Sequence, residues 1–165
     1  MRRVLRLYSG GACLEVGAGN GGSLLELSRS FRVVVGTDVV RPDASDWREA
    51  GSSYIMADAA ACFRSGSFDL VAFNPPYVPS EGIADRAVDG GREGVEVALH
   101  FLREAMGAVK EDGKILMLVS SDNPLRVLEQ ECDARGCTMR RVADARLFYE
   151  TLSVYEVSRR GKSQS

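Results

Sequence analysis

Histidine is almost missing from this chain: His100 is the only one in 165 residues. A single imidazole argues against Ser-His or Cys-His nucleophilic catalysis, which needs a positioned base beside the nucleophile. His100 sits in the apolar helical stretch Ala98-Leu99-His100-Phe101-Leu102 and reads as structural. Cysteine is also sparse. Cys13, Cys62, Cys132 and Cys137 form no Cys-x-x-Cys pair, so no metal site is expected. Cys13 and Cys62 look like small buried residues, and Cys132 and Cys137 like free thiols that can lie near each other. Charge of one sign is missing too: 21 basic residues face 23 acidic ones, for a net charge of −2 and a pI of about 5.5. Such a balance argues against a surface built to neutralise many phosphates. No apolar run is long enough to cross a bilayer. The start, Met1 to Tyr8, is basic but lacks the apolar stretch of a signal peptide, so a cytoplasmic protein is expected.

What is present is an alternation of strand and helix signals, the pattern of an α/β fold with a mainly parallel sheet. Strands are expected at 12–16, 32–37, 53–56, 68–73 and 114–119. Helices are expected from Gly21 to about Ser30, from Asp43 to Ala50, from Gly94 to Val109, and from Asn123 to Arg135 with Pro124 in its first turn. Segments 138–147 and 151–158 follow each other without a helix and read as an antiparallel pair closing one side of the sheet. With no repeat and no linker, residues 1–165 are one domain, with a core at 11–159 and a short tail at 160–165. The loop at 78–91 is long for a compact domain and is expected to contact substrate.

The tetrapeptide Asn74-Pro75-Pro76-Tyr77 carries the most chemistry. It follows the apolar run Phe68 to Phe73, which reads as a strand buried on both faces. It therefore falls at a carboxyl end, where open α/β sheets bind ligands. Asn74 offers an acceptor and a donor. Pro75 and Pro76 remove two backbone donors and leave carbonyls free. Tyr77 offers a flat face. Together they suit a planar NH2 group, held by its hydrogens and its π face. Alone, the tetrapeptide is also what a proline-rich turn looks like.

A second constellation lies upstream. In Glu15-Val16-Gly17-Ala18-Gly19-Asn20-Gly21-Gly22, the glycines at 17, 19 and 22 have the spacing G-x-G-x-x-G. This fits a tight strand-to-helix turn or a nucleotide site. Asp38 ends the second strand, where a carboxylate accepts from ribose hydroxyls. Asp58 ends the third, where it can accept from an adenine amino group, with the Ala59 N–H beside it. Glu15 adds an anion near the first turn. A pyrophosphate wants N–H groups and no nearby anion. A cationic nucleoside wants acids, and S-adenosylmethionine is one.

In that order, the glycine-rich turn, Asp38, Asp58 and Asn74-Pro75-Pro76-Tyr77 resemble class I S-adenosylmethionine-dependent methyltransferases of the amino-methylating type. Phe73 to Pro79, Gly90-Gly91-Arg92-Glu93-Gly94, Phe101-Leu102 and Phe148-Tyr149-Glu150-Thr151-Leu152 are similar to the HemK-like glutamine methyltransferases of class 1 release factors, in the archaeal and eukaryotic branch. The Tyr-x-Pro-x-Glu-Asp-like motif that precedes the first strand in that branch has no counterpart before Gly11. The resemblance implies a Rossmann-like fold: a mainly parallel seven-stranded sheet, a C-terminal antiparallel pair, and helices on both faces. It implies S-adenosylmethionine held by Glu15, Gly17, Gly19, Asp38, Asp58, Ala59 and Asn74. Asn74, Pro75 and Tyr77 would be catalytic, and Asn74, Pro76 and Tyr77 would hold the substrate, without a metal. It further implies a release-factor glutamine as acceptor and a small zinc-binding activator protein at the edge strand near Tyr54, Ile55 and Met56. Competing readings are an RNA or DNA amino-group methyltransferase, a protein lysine methyltransferase, a nucleotide-binding oxidoreductase and a non-catalytic scaffold.

Overall fold

A computed structural model describes residues 1–40, 51–76 and 95–161. The helix expected at 43–50, Tyr77, the loop at 78–91 and the 90–94 segment lie outside the described residues.

Helix α1 (Arg2–Leu5) leads into β1 (Gly10–Val16), α2 (Leu24–Leu27), β2 (Phe31–Asp38), β3 (Ser53–Met56), β4 (Phe68–Phe73) and α3 (Glu96–Ala108). Then come β5 (Val109–Ser120), α4 (Leu125–Ala134), β6 (Cys137–Arg146) and β7 (Thr151–Arg159). One seven-stranded sheet runs β3-β2-β1-β4-β5-β7-β6. Its first five strands are parallel, and β7 pairs antiparallel with both β5 and β6. This is a mainly parallel α/β sheet with a C-terminal antiparallel pair, as expected.

The sheet has two buried faces, which explains its continuous apolar strands. Successive side chains alternate between two cores. Leu14, Val16, Val71, Phe73, Ile115 and Met117 face one core with Ala98, Leu102 and Leu128 of α3 and α4. Cys13, Leu70, Ala72, Leu116 and Leu118 face the other with Val4, Leu5, Leu24 and Leu27 of α1 and α2. In α3 the buried residues Ala98, Leu102, Ala105 and Met106 repeat at helical spacing. The N-terminal segment is tied down as well. Arg6 grips Glu26 with two hydrogen bonds of 2.7 and 2.9 Å, and the Tyr8 hydroxyl donates to Glu156 at 2.6 Å.

Several local expectations are corrected. The helix from Gly21 to Ser30 shrinks to the single turn α2. Gly21 is in the left-handed region, and past Ser28, whose N–H still bonds the Leu24 carbonyl at 2.8 Å, the Ser30 N–H turns to the Leu27 carbonyl at 3.0 Å in a tighter turn. Strand β5 starts five residues before Lys114, because Val109 pairs with Phe68 ahead of an irregularity in register. Cys62 is exposed, not buried, while Cys13, Cys132 and Cys137 are buried free thiols. No helix among the described residues is long and apolar enough to cross a membrane.

One side chain joins three central strands. Asp69 of β4 accepts from the N–H groups of Gly11 and Ala12 at 2.9 and 2.8 Å, and from Lys110 at 2.6 Å. The Lys110 bond first, then the Ala12 N–H, hold its carboxyl below the ordinary value of 3.8. A depressed carboxyl stabilises the fold above its unfolded value, and that contribution disappears as pH falls below about 4. Asp69→Ala strands two N–H groups and is expected to cost about 1–3 kcal/mol at pH 7. Urea unfolding from pH 7 to pH 3 should show wild type losing stability at the acid end faster than the variant does.

Candidate active site at the carboxyl edge of the sheet

Strand β1 lies between β2 and β4, and the chain leaves it in opposite directions. This is the switch point at which open α/β sheets form a crevice. The register sets what faces that crevice. Val16 pairs with Thr37 on one side and with Phe73 on the other. The next residues, Gly17, Asp38 and Asn74, therefore stand in one row across three strands. At about 4.8 Å per strand, Asp38 and Asn74 are about 10 Å apart with the glycine turn between them.

Gly17 has φ +65°, and a Cβ there would stand 3.1 Å from the Phe101 ring. Phe101 also packs edge-on against Phe73, with centroids 5.9 Å apart. It thus forms a wall joining the glycine turn to the strand that delivers Asn74. Gly19 has φ +51°, and a Cβ there would meet no atom within 4 Å, so the turn leaves open space above itself. Asp38 is held by backbone: the Gly19 N–H donates to Oδ2 at 3.0 Å and the Val40 N–H to Oδ1 at 3.1 Å. Each oxygen keeps one lone-pair direction for a ligand hydroxyl.

Glu15, expected as an anion near the first turn, is buried. Only 9% of it is exposed, and its Oε2 has no hydrogen-bond partner. Burial pushes its carboxyl up to about 7, against the opposing pull of the Ser23 hydroxyl and the Arg2 charge. Arg2 reaches this region from α1, its guanidinium resting against Gly22. The neighbouring Thr37 hydroxyl is fully buried and also lacks a partner.

Asp58 lies two residues beyond β3, and its Oδ1 is bonded to His100 Nε2 at 2.8 Å. His100 is therefore not a buried structural residue: it is exposed on α3 and faces Asp58. Ala59, next to Asp58, is buried with φ +47°, the one non-glycine positive φ among the described residues. Such strain concentrates where ligands are held. After β4, Asn74 is exposed, Pro75 buried and Pro76 half-buried. Of the expected site, Glu15, Gly17, Gly19, Asp38 and Asn74 line one edge, with Asp58 and Ala59 beside it; Tyr77 lies outside the described residues. Arg2, Ser23, Thr37 and His100 were not anticipated there. Only their long-range packing reveals them, since nothing in their local spacing marks them.

The donor set suits a cationic nucleoside. An unpartnered buried carboxylate oxygen, an aspartate with two free lone-pair directions and an open glycine floor are present together. No group of three or more metal-ligating side chains occurs among the described residues. A cavity of about 390 Å3 lies at the opposite, amino end of β5, between Arg103, Met106, Ile115 and Arg159. It is remote from this edge and from the chemistry described here.

No family model matches the chain. The fold and its order of strands are those of class I methyltransferases. The chain is 25% identical to, and superimposes with a TM-score of 0.75 on, a protein in the E. cuniculi Mtq2-Trm112 complex responsible for methylation of the eRF1 translation termination factor, covering 96% of this chain and 94% of that one. Two of its sequence relatives carry the names of glutamine methyltransferases. It is 27% identical over 121 residues to a protein of Methanocaldococcus jannaschii named as a protein N5-glutamine methyltransferase, spanning 66% of this chain and 61% of the relative. It is 34% identical over 108 residues to the release factor glutamine methyltransferase of Rhodospirillum rubrum, spanning 53% of this chain and 33% of the relative.

Glu15 gives this site a measurable pH signature. A carboxyl raised from 4.5 to about 7 favours the fold fully below its unfolded value, and that advantage is lost as pH rises through 7. Glu15→Gln is expected to be more stable than wild type at pH 8, by up to about 3 kcal/mol, and to match it near pH 4. Denaturant titrations at the two pH values measure the difference.

Proposed function

We propose that this chain is an S-adenosylmethionine-dependent N-methyltransferase that modifies a glutamine side-chain amide of a translation release factor, in the cytoplasm. The observation that carries the reading is the row Asp38, Gly17 and Asn74 across the switch point, with buried Glu15 beneath it. The names of the relatives agree with it. The chain spans 61% or less of those relatives' lengths.

S-adenosylmethionine, when bound, supplies a methyl group on a positively charged sulfur. Glu15 is the buried counter-charge for the cationic end of that cofactor. Asp38, oriented by two backbone amides, accepts from ribose hydroxyls, and the Asp58–Ala59 turn receives the adenine. The acceptor nitrogen is an amide, whose delocalised lone pair makes it a poor nucleophile. The Asn74 side-chain oxygen and the Pro75 carbonyl accept its two hydrogens and turn the lone pair toward the methyl. This positioning is worth most in the transition state. Tyr77 and Pro76 pack on the planar amide and exclude water.

The β3 edge carries the partner reading. Among the described residues strand β3 pairs with β2 alone, and Ile55 and Met56 are 37% and 68% exposed. Tyr54 is less available than expected: its hydroxyl donates to the Val40 carbonyl at 2.5 Å. An activator protein adding a strand here would bury Ile55 and Met56. Met56→Asp is expected to abolish co-purification with a co-expressed zinc-binding activator while leaving cofactor binding intact. Unchanged co-purification would remove the β3 edge from the interface.

The catalytic reading is tested with two variants. Asp38→Ala should weaken S-adenosylmethionine binding by about 1.5–3 kcal/mol, the range for hydrogen bonds to a charged group. Asn74→Ala should keep cofactor affinity and lose most turnover. Calorimetry reads the first effect. Mass spectrometry of intact release factor incubated with enzyme and cofactor reads the second and locates the methyl group. A methyl on lysine, or on RNA in place of protein, would transfer the assignment to those acceptors.

A further inference from the structure

The β6–β7 hairpin leaves three large apolar side chains in water. Leu147 is 48% exposed, Phe148 91% and Tyr149 90%, and the two aromatic rings stack edge-on with centroids 4.8 Å apart. Soluble chains seldom hold adjacent rings fully in solvent unless something covers them. The tip is also firmly placed. The Leu147 N–H closes the turn onto the Glu150 carbonyl at 2.8 Å. Below it, the Ser120 hydroxyl donates to Glu150 at 2.5 Å, the Ser121 N–H to the Thr151 carbonyl at 2.9 Å, and the Thr151 N–H to the Ser121 hydroxyl at 3.0 Å. These bonds fasten the hairpin to the carboxyl end of β5. The rings therefore rise from the same edge of the sheet that carries Asn74.

The sheet register says how far away they stand. Phe73 pairs with Met117, and Ser120 with Leu152. The hairpin is two to three strands from Asn74, a lateral offset of about 10–14 Å, and it rises above the level of that residue. A standard protein interface covers about 800 Å2 per partner, a disc of about 16 Å radius. Any protein of ordinary interface size that lowers a side chain onto Asn74 must meet the hairpin. A free amide or a short peptide need not. Exposed, pre-positioned aromatic rings are also the side chains that dominate interface energetics.

We infer that Phe148 and Tyr149 form the docking post for the folded protein around the accepting amide, gripping an apolar patch that flanks the modified side chain. This rests on the protein-substrate reading above and adds to it a second contact, outside the chemistry. The rings set how well intact substrate binds and leave the transfer step alone.

The test compares wild type with the double variant Phe148→Ser, Tyr149→Ser. Both positions are solvent-exposed, so unchanged thermal melting is expected. For intact release factor, KM should rise about tenfold or more with kcat unchanged. For a short synthetic peptide spanning the accepting glutamine, both constants should stay the same. Equal losses on both substrates would place the rings in the chemistry, and no loss on either would remove them from recognition; each result overturns the inference. Direct calorimetric binding of intact release factor to both proteins is measured in parallel, with the cofactor titrated as a control. Should no methyl transfer occur, the function proposed above fails, and the binding arm alone decides the docking post. Binding weakened about tenfold in the double variant upholds it, while equal binding, or none to wild type, overturns it.

Discussion

Strand β1 is paired along both edges, with β2 on one side and β4 on the other, and Cys13, Leu14 and Val16 are shut off from solvent. That double pairing is the constraint on which the candidate site depends. Because the side-chain period of a strand is two, a slip of one residue in either ladder would turn an apolar set out of its core. The two cores therefore lock the register, and the register brings Gly17, Asp38 and Asn74 to one level. Asp69 reinforces this from the far end of the same strands, holding the start of β1 to β4 and, through Lys110, to β5. Precision at the carboxyl edge is a product of packing elsewhere in the sheet.

The electrostatics of the edge follow from the same burial. Glu15 belongs to a strand with neighbours on both sides, so water cannot solvate its charge, and its carboxyl is raised to about 7. Asp38, one strand away, stands at the rim with two backbone N–H groups fixed on it. The two carboxylates thus differ in environment: Glu15 is buried with one oxygen unpartnered, and Asp38 is half-buried with its oxygens fixed by backbone N–H groups. A buried carboxylate oxygen without a partner is costly. The Arg2 charge, leaning over Gly22, and the Ser23 hydroxyl offset part of that cost.

Two groups of exposed apolar side chains stand on either side of the row. Ile55 and Met56 lie on the outer β3 strand, beyond the nucleoside end of the row, whereas Phe148 and Tyr149 stand beyond the acceptor end.

By itself the sequence determined the class of fold and where its strands fall along the chain. Continuous apolar runs at 12–16, 32–37 and 68–73 are strands because only a doubly covered sheet can bury them, and acids, glycines and an Asn-Pro-Pro turn at their ends mark a ligand edge. Strand β3 and strand β4 fall where local pattern puts them. Helix α2 does not, because a left-handed Gly21 and a tight turn closed by the Ser30 N–H on the Leu27 carbonyl outweigh a periodicity that looked helical. The partners of the site residues were decided only by tertiary structure. His100 reads as a core residue in its own helix, yet packing of α3 turns it to Asp58, 42 positions away. Arg2 reaches Gly22, and Phe101 reaches Gly17, across distances in sequence that no local spacing encodes. The charge state of Glu15 belongs to the fold as well, because desolvation depends on what surrounds a group in space and not on its neighbours in the chain.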